Sequence, residues 1–353
     1  MSTSRLFVRA LPLVLAAAFA PDAAAQREAA AVQVPRFRLT LLPTPAEVLS
    51  SSASAVNEQG GVAGTLYSQG PLGNLVQTAY WADPDLQPAV ATGLGAGNSQ
   101  AADVNAAGSV AGNGTDPDVG YVSFTWMAGQ EVQPLTDVAG VSCDLLQALD
   151  DRGVAVGIGT FPELGVRPTR WTDGVPEDLG LLPGDFDGAA FGMSEAGHVV
   201  GRSGMEAARW FQGAIERLEF PGDASSAALA VNVRGEAVGA VYSGPGPHPV
   251  LWRKTHGVEL PTLGGPNGWA AAINGRSWIV GTTETAPPGP EGDHQRATLW
   301  IGGQAFDLNA LTIDLPDDVV LAGAADVNDA GQIVGHALIG DTSRGFLLEP
   351  AGN

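Results

Sequence analysis

Hydrophobic residues in this chain come in short runs, and polar or glycine-rich breaks separate them. Phe37-Arg38-Leu39-Thr40-Leu41-Leu42 alternates apolar and polar positions, and Val104 and Val110 flank a polar break, as do Val327 and Ile333. Alternation over a few residues is the mark of a half-buried strand, and runs this brief between turn residues predict strands joined by tight turns. The breaks repeat: Asn-x-x-Gly-x-(Val/Ile)-(Val/Ala)-Gly occurs seven times, beginning at Asn57, Asn105, Asp150, Ser194, Asn232, Asn274 and Asn328 and ending at Gly64, Gly112, Gly157, Gly201, Gly239, Gly281 and Gly335. A second anchor follows each copy, at Trp81, Trp126, Trp171, Trp210, Trp252 and Trp300, with Leu348 in the seventh, at steps of 39 to 48 residues.

The letters of the first motif have a physical reading. Asn, Asp or Ser at its head accepts a hydrogen bond from backbone two residues on. The glycine three residues later takes the left-handed conformation that follows a type I turn in a three-residue hairpin. The sixth copy, Asn274-Gly275-Arg276-Ser277, has its glycine too early, and a different turn type is expected there. A second tight turn follows each Trp, as in Trp126-Met127-Ala128-Gly129-Gln130, and leads into strands such as 131–135 and 305–308.

Each unit therefore holds four strands, here named the Asn, Gly, Trp and Leu strands. Four strands in about 40–45 residues make a propeller blade. The column four residues ahead of the turn head is small in six copies: Ala53, Ala101, Ala190, Ala228, Ala270 and Ala324, with Leu146 in the third. Small side chains suit the crowded strand beside the axis, which places the Trp strand farther out with its ring between blades. The segment 37–42 is a Leu-type strand at the start, and the chain lacks one after the seventh Trp-type strand, 344–348. The expectation is an all-β, seven-bladed propeller over 37–349 in which 37–42 pairs with 344–348 and removes the open edges.

The ends and the charge change the picture in two ways. Arg5 and Arg9, the apolar stretch from Leu11 to Ala20 and the small residues Ala23-Ala24-Ala25 read as a cleavable export signal over 1–25, with cleavage near Ala25 and a flexible segment over 26–36. Localisation is thus expected to be secreted or periplasmic, with no transmembrane segment. Acidic residues outnumber basic ones by 38 to 17, for a net charge of −21. That field opposes nucleic acid and anionic lipid. Cys143 is the sole cysteine, so no intrachain disulfide forms, and it reads as a small buried hydrophobe.

These residues resemble the HAF-repeat family of bacterial extracellular proteins. In the sixth copy Leu263-Gly264-Gly265, the segment from Ala270 to Asn274 and Ile279-Val280-Gly281 match its unit, and His248-Pro249-Val250-Leu251-Trp252 matches its His-Ala-Phe-Leu-Trp stretch in the fifth. The signature His stands once; other copies hold Gln77, Val122, Arg167, Glu206, Arg296 and Arg344. A column so variable is not a shared catalytic group. The resemblance implies export and a repeat fold, and no reaction.

No acid–base, nucleophile or metal set emerges. Gly192-Met193-Ser194-Glu195-Ala196 loosely matches a nucleophile elbow, but lacks the final glycine and lies at the repeat's own turn. His198, His248, His256, His294 and His336 share neither phase nor metal-ligand spacing. Asp83 with Asp85, Asp116 with Asp118, and Asp185 with Asp187 form Asp-x-Asp pairs, none continuing into a complete calcium loop; polar turns are expected. The turn heads are assigned a turn-forming role alone.

Two tryptophans fall outside the Trp column. Trp278 shares its column with Gly61, Ser109, Val154, His198, Glu236 and Gln332, and Trp269 with Ser52, Gln100, Leu145, Ala189, Ala227 and Gly323. Either they form a ligand-binding surface, bordered by the Pro-rich insertion 283–295, or they fill space around the altered sixth turn. The expected function is a non-catalytic, monomeric binding or scaffold module for a protein or glycan, without cofactor. The alternative is a hydrolase or lyase with a site assembled from several blades at the channel mouth.

Overall fold

A computed structural model describes residues 33–352, apart from 71–72, 92–96, 119, 136, 223–224, 245 and 286–294. The export signal with its cleavage near Ala25, and most of the 283–295 insertion, lie outside the described residues; Thr285 ends one strand and Gln295 begins the next.

Seven sheets stand around one axis, six of them wholly antiparallel. Their Asn strands are Val48–Val56, Ser99–Val104, Ser142–Leu149, Gly188–Met193, Ser225–Val231, Gly264–Ile273 and Val319–Val327. Each is first in its sheet, and consecutive Asn strands approach one another all round the ring, so they are innermost. Sheet order in blades 1 to 6 is the sequence order Asn, Gly, Trp, Leu. The fold is a seven-bladed β-propeller.

Closure is as expected from the phase of the chain. Phe37–Leu41 pairs antiparallel with Thr342–Pro350, Phe37 opposite Pro350 and Leu41 opposite Phe346, and supplies the missing outer strand of blade 7. A short strand, Thr312–Ile313, then pairs parallel with Phe37–Leu41 and covers the edge it would leave. Phe37 is fully buried, in one apolar cluster with Leu308, Phe346 and Leu348.

Every Asn strand is bulged at the same place, from Ala53/Ala55 in blade 1 to Ala324/Asp326 in blade 7. A bulge bends and twists its strand, and here it also explains the last glycine of the motif. A Cβ on Gly157 would stand 1.9 Å from the Leu145 carbonyl oxygen, and one on Gly201 1.9 Å from that of Ala189. No side chain fits at that crossing.

The sixth turn corrects the expectation of a different type. Ser277 takes the glycine's place with φ +59°, and Asn274 Oδ1 accepts from Arg276 and Trp278 amides as its counterparts do. The conformation belongs to the motif, and one residue in it tolerates the left-handed cost that glycine avoids.

The Trp column is corrected at one position. Trp126, Trp171, Trp210, Trp252 and Trp300 are all buried, each in a cluster shared with the preceding blade: Trp126 with Ala63 and Ala79, Trp210 with Ala148 and Val156. Trp210 Nε1 donates to Gly180 O at 3.0 Å and Trp300 Nε1 to Pro261 O at 2.7 Å, each across a blade seam. In blade 1, however, Val62 pairs with Ala82, where Val110 pairs with Trp126 in blade 2. Ala82 therefore holds the column and Trp81 is one residue off. A one-residue slip turns a side chain to the other face of its sheet; Trp81 packs toward blade 2 instead, its ring against Gly108.

Candidate functional site

Two faces are distinct. One carries the Asn turns and the Trp–Leu turns; the other carries the Gly–Trp hairpins and the connections between blades.

On the Asn-turn face, the turn heads have a second role beyond the turn itself. Besides accepting from its own turn amides, Asn57 donates through Nδ2 to the carbonyl of Asn105 (3.0 Å), Asn105 to that of Asp150 (3.2 Å), Asn232 to Asn274 (3.2 Å), Asn274 to Asn328 (2.9 Å) and Asn328 to Asn57 (2.9 Å). Asp150 and Ser194 break this ring, since a carboxylate donates nothing and a hydroxymethyl is short. Asp150 binds Arg152 at 2.6 Å instead. The signal was present in the sequence: a turn alone accepts Asn, Asp or Ser, yet five of the seven heads are Asn.

At four of the turns the next residue, Glu58, Asp151, Glu195 or Asp329, is a carboxylate that reaches back to the preceding blade. Asp151 accepts the Ala106 amide at 2.7 Å, Glu195 that of Asp151 at 3.1 Å, Asp329 that of Gly275 at 2.5 Å and Glu58 that of Asp329 at 3.0 Å. Burial raises the pKa values of Glu58 and Glu195 above the ordinary carboxylate value, against the amide bonds. Deeper along the axis lie Asp103 and Asp326, each at a bulge. Asp103 accepts the Val104 and Leu149 amides, and Asp326 those of Val327 and Val56, so each satisfies one amide of its own strand and one on a neighbouring blade. Burial, and then the charge of Asp326, push Asp103 up to about 7; burial pushes Asp326 up to about 6. Carboxylates with Arg152 and Arg276 nearby are the composition that the enzyme alternative asks for at a channel mouth, but each of these carboxylates has an interblade amide to hold.

The structure places Trp269 and Trp278 on blade 6, both half-buried. Trp278 packs against the blade 6–7 core and its ring lies over Gly331, whose Cβ would stand 2.8 Å away; Arg276 sits 5.8 Å from its centroid. Its column does the same elsewhere: His198 covers Gly235, and Gln332 covers Gly60. Space-filling at the next blade's turn thus accounts for Trp278. Trp269 pairs with Thr282, four residues beyond Trp278 along the neighbouring strand, or about 13 Å at about 3.3 Å per residue. That register sets the two rings apart along the blade and does not bring them to one end of it.

On the hairpin face the picture is different. Tyr121, Leu164, Met205 and Tyr242 are exposed large hydrophobics at the Gly–Trp hairpins of blades 2 to 5. Between blades 4 and 5 this face opens into a groove of about 1250 Å³, running down the flank to His256. Phe186, Met205, Leu218, Phe220, Pro221 and Tyr242 supply its large apolar lining. Phe186 is 89% exposed and Met205 70%, while Leu218 is buried in the blade 4–5 core.

Phe186 is held out by a rigid loop. Leu182 N donates to Ser203 Oγ at 2.9 Å, Ser203 Oγ to Asp185 at 2.7 Å, Gly204 N to Asp187 O at 2.8 Å, and Arg202 pairs with the Asp187 carboxylate at 2.9 Å. Gly204 has φ +56°, and a Cβ on it would stand 2.5 Å from Asp185. Asp185 and Asp187 thus brace a loop whose tip is an aromatic ring in water. Spacing drew attention to the two carboxylates and not to the ring between them.

Cys143 is half-buried, and burial pushes its thiol up to about 12, which suits packing and not nucleophilic chemistry. His248 joins Glu259 at 3.0 Å and the Ser243 carbonyl at 3.1 Å, stapling its hairpin to the Leu strand.

No family model and no curated protein matches the chain. Among solved structures it is similar to YCF48 bound to D1 peptide, with TM-score 0.50, 12% identity, and coverage of 91% of this chain and 99% of that one. It is also similar to the extracellular domain of the putative hybrid two-component system BT4673 from B. thetaiotaomicron, with TM-score 0.52 and 9% identity over 91% of this chain and 40% of that one. At these identities the likeness shows the propeller fold alone. Among the described residues no helix is long and apolar enough to cross a membrane.

Proposed function

We propose that the protein is an exported, non-catalytic propeller of the HAF-repeat type that binds a protein or glycan in the groove between blades 4 and 5. The observation that carries this is Phe186, a large aromatic ring presented to solvent by a loop braced on both sides, with Met205 and Tyr242 lining the same groove. An exposed ring on a floppy loop would cost ordering entropy on binding; a braced one has already met that cost. Aromatic and Met side chains are also enriched at interfaces, where Lys and Glu are depleted. The groove is larger than the roughly 300–1,000 Å³ of small-molecule pockets and open along one side, which suits a segment of a macromolecule. YCF48, a propeller of similar extent, has been solved bound to a peptide.

The test is a binding screen of the mature chain against glycan arrays and secreted-protein peptides, repeated with Phe186→Ala. A ligand whose affinity drops about tenfold in the variant, the loss of one interface anchor, supports the reading. Ligands that bind both proteins equally would refute it.

A further inference from the structure

We infer that the groove's ligand is an extended basic peptide segment carrying one large apolar side chain; this rests on the binding reading above. The groove's lining combines apolar and acidic side chains. Asp185, Asp187, Glu206 and Glu219 line it, against Arg217 and His256. The carboxylates of Asp187, Glu206 and Glu219 are 49%, 39% and 62% exposed, so they face solvent and an arriving ligand. Arg217 is committed to Glu206 at 2.9 Å, and Asp187 to Arg202. The acidic excess that remains sits within a molecule of net charge −21, and complementary fields steer and select partners.

The apolar part of the lining argues for peptide over sugar. Phe220 and Pro221 offer apolar surface, and hydroxyls of a sugar pressed onto them would lose their hydrogen bonds to water without replacement. A Leu, Phe or Trp side chain loses nothing there. Met205 adds a flexible, polarizable wall that adapts to different apolar side chains. A peptide of about four to six residues in extended form is about 13–20 Å long at about 3.3 Å each. Its apolar residue lies beside Phe186, and its Lys or Arg residues meet Glu219.

The experiment uses the mature chain and three fluorescent hexapeptide pools. Each pool has one Leu, Phe or Trp; the other positions are Lys/Arg in the first, Gln/Ser in the second and Glu/Asp in the third. Binding is read by anisotropy at about 50 and about 300 mM salt, between which screening of exposed charges strengthens. The basic pool is expected to bind about tenfold more tightly than the neutral pool at low salt, the gap narrowing at high salt, with no binding of the acidic pool. Phe186→Ala should weaken the basic pool about tenfold. Glu219→Gln should narrow the basic–neutral gap.

Equal binding of basic and neutral pools, both weakened by Phe186→Ala, overturns the basic class and leaves the groove reading standing. Basic-pool binding indifferent to Phe186→Ala overturns both, because the net charge then acts elsewhere. No peptide binding, with a glycan signal that Phe186→Ala abolishes, overturns the peptide and keeps the groove. Phe186 is exposed and touches no core, so unchanged melting of the variant separates binding from folding.

Discussion

Asn328 Nδ2 lies 2.9 Å from the main-chain oxygen of Asn57, a residue 271 positions earlier, and donates to it across the seam where the last blade meets the first. Ring closure therefore has two fasteners: the strand Phe37–Leu41 on the outer edge of blade 7 and this amide near the axis. Asn328→Asp keeps the acceptors that build its own turn but removes the donor, as Asp150 already does between blades 3 and 4. It should cost about 1–3 kcal/mol, the penalty of an unpaired buried carbonyl, read as a lower urea midpoint. A midpoint equal to the wild type would reduce the ring to a geometric coincidence.

The outer fastener is tested by deleting residues 26–43. The strand Thr342–Pro350 then loses its outer partner, and Phe37 leaves a cluster in which it is fully buried. Melting temperature and solubility should both fall, and Phe37→Ala alone should cost about 3–5 kcal/mol. A truncated chain that melts with the full mature one would mean that the ring closes without it.

Trp171→Ala removes a ring buried between blades 2 and 3 and should cost about 3–5 kcal/mol. Trp81→Ala should cost clearly less, because Trp81 is half-buried and out of the column. Equal losses in guanidinium unfolding would contradict the register that assigns the column to Ala82.

Trp278 and Gly331 make a double-mutant cycle. Gly331→Ala suffers both a positive φ of 86° and the Trp278 ring at 2.8 Å. In a Trp278→Ser background the second penalty vanishes and only the backbone cost of about 1 kcal/mol persists. A coupling energy near zero would free Trp278 from its packing role.

Asp103 and Asp326 predict the direction of pH dependence. Their folded values, about 7 and about 6, lie above the unfolded carboxylate value near 3.9. The folded state thus holds these protons more tightly than the unfolded chain, so their stabilising contribution is complete below about pH 4 and is lost as pH rises through 6 to 7. Glu58 and Glu195, also raised, act in the same sense. Glu236 acts oppositely: burial raises it, but bonds from Ser277, Asn232, Arg234 and Arg253 outweigh burial and hold it at about 2, so its contribution disappears only below pH 4.5. The urea midpoint should fall between about pH 4.5 and about pH 8, and the Asp103→Asn, Asp326→Asn double variant should flatten that slope. An unchanged slope would remove the two carboxylates as its source.

The repeat was legible because its signals are local. A turn head, a left-handed position three residues on and an aromatic on the next strand all act within one hairpin, so seven copies announce themselves in one dimension. Where reading by column failed, the cause was a choice made in three dimensions. Trp81 looks like its siblings by spacing, yet one residue of register sends it to the other face. Ser277 lacks the glycine and adopts its conformation anyway. The pair Trp269 and Trp278 stands out by size, but size in a column does not report which neighbour the column meets.

Strand pattern, blade number and the way the ends complete the ring follow from the amino-acid order alone, because alternation, turn chemistry and phase are properties of adjacent residues. Which columns face one another across a seam is settled only in the assembled ring: Asn Nδ2 against the next carbonyl, Asp103 against the Leu149 amide, Trp278 against Gly331. The same assembly alone makes a groove from residues 184–187, 204–206, 217–222, 242 and 256. Those contacts depend on the packing of one twisted sheet against the next, and that geometry is set by the whole ring, so no single blade's sequence contains it.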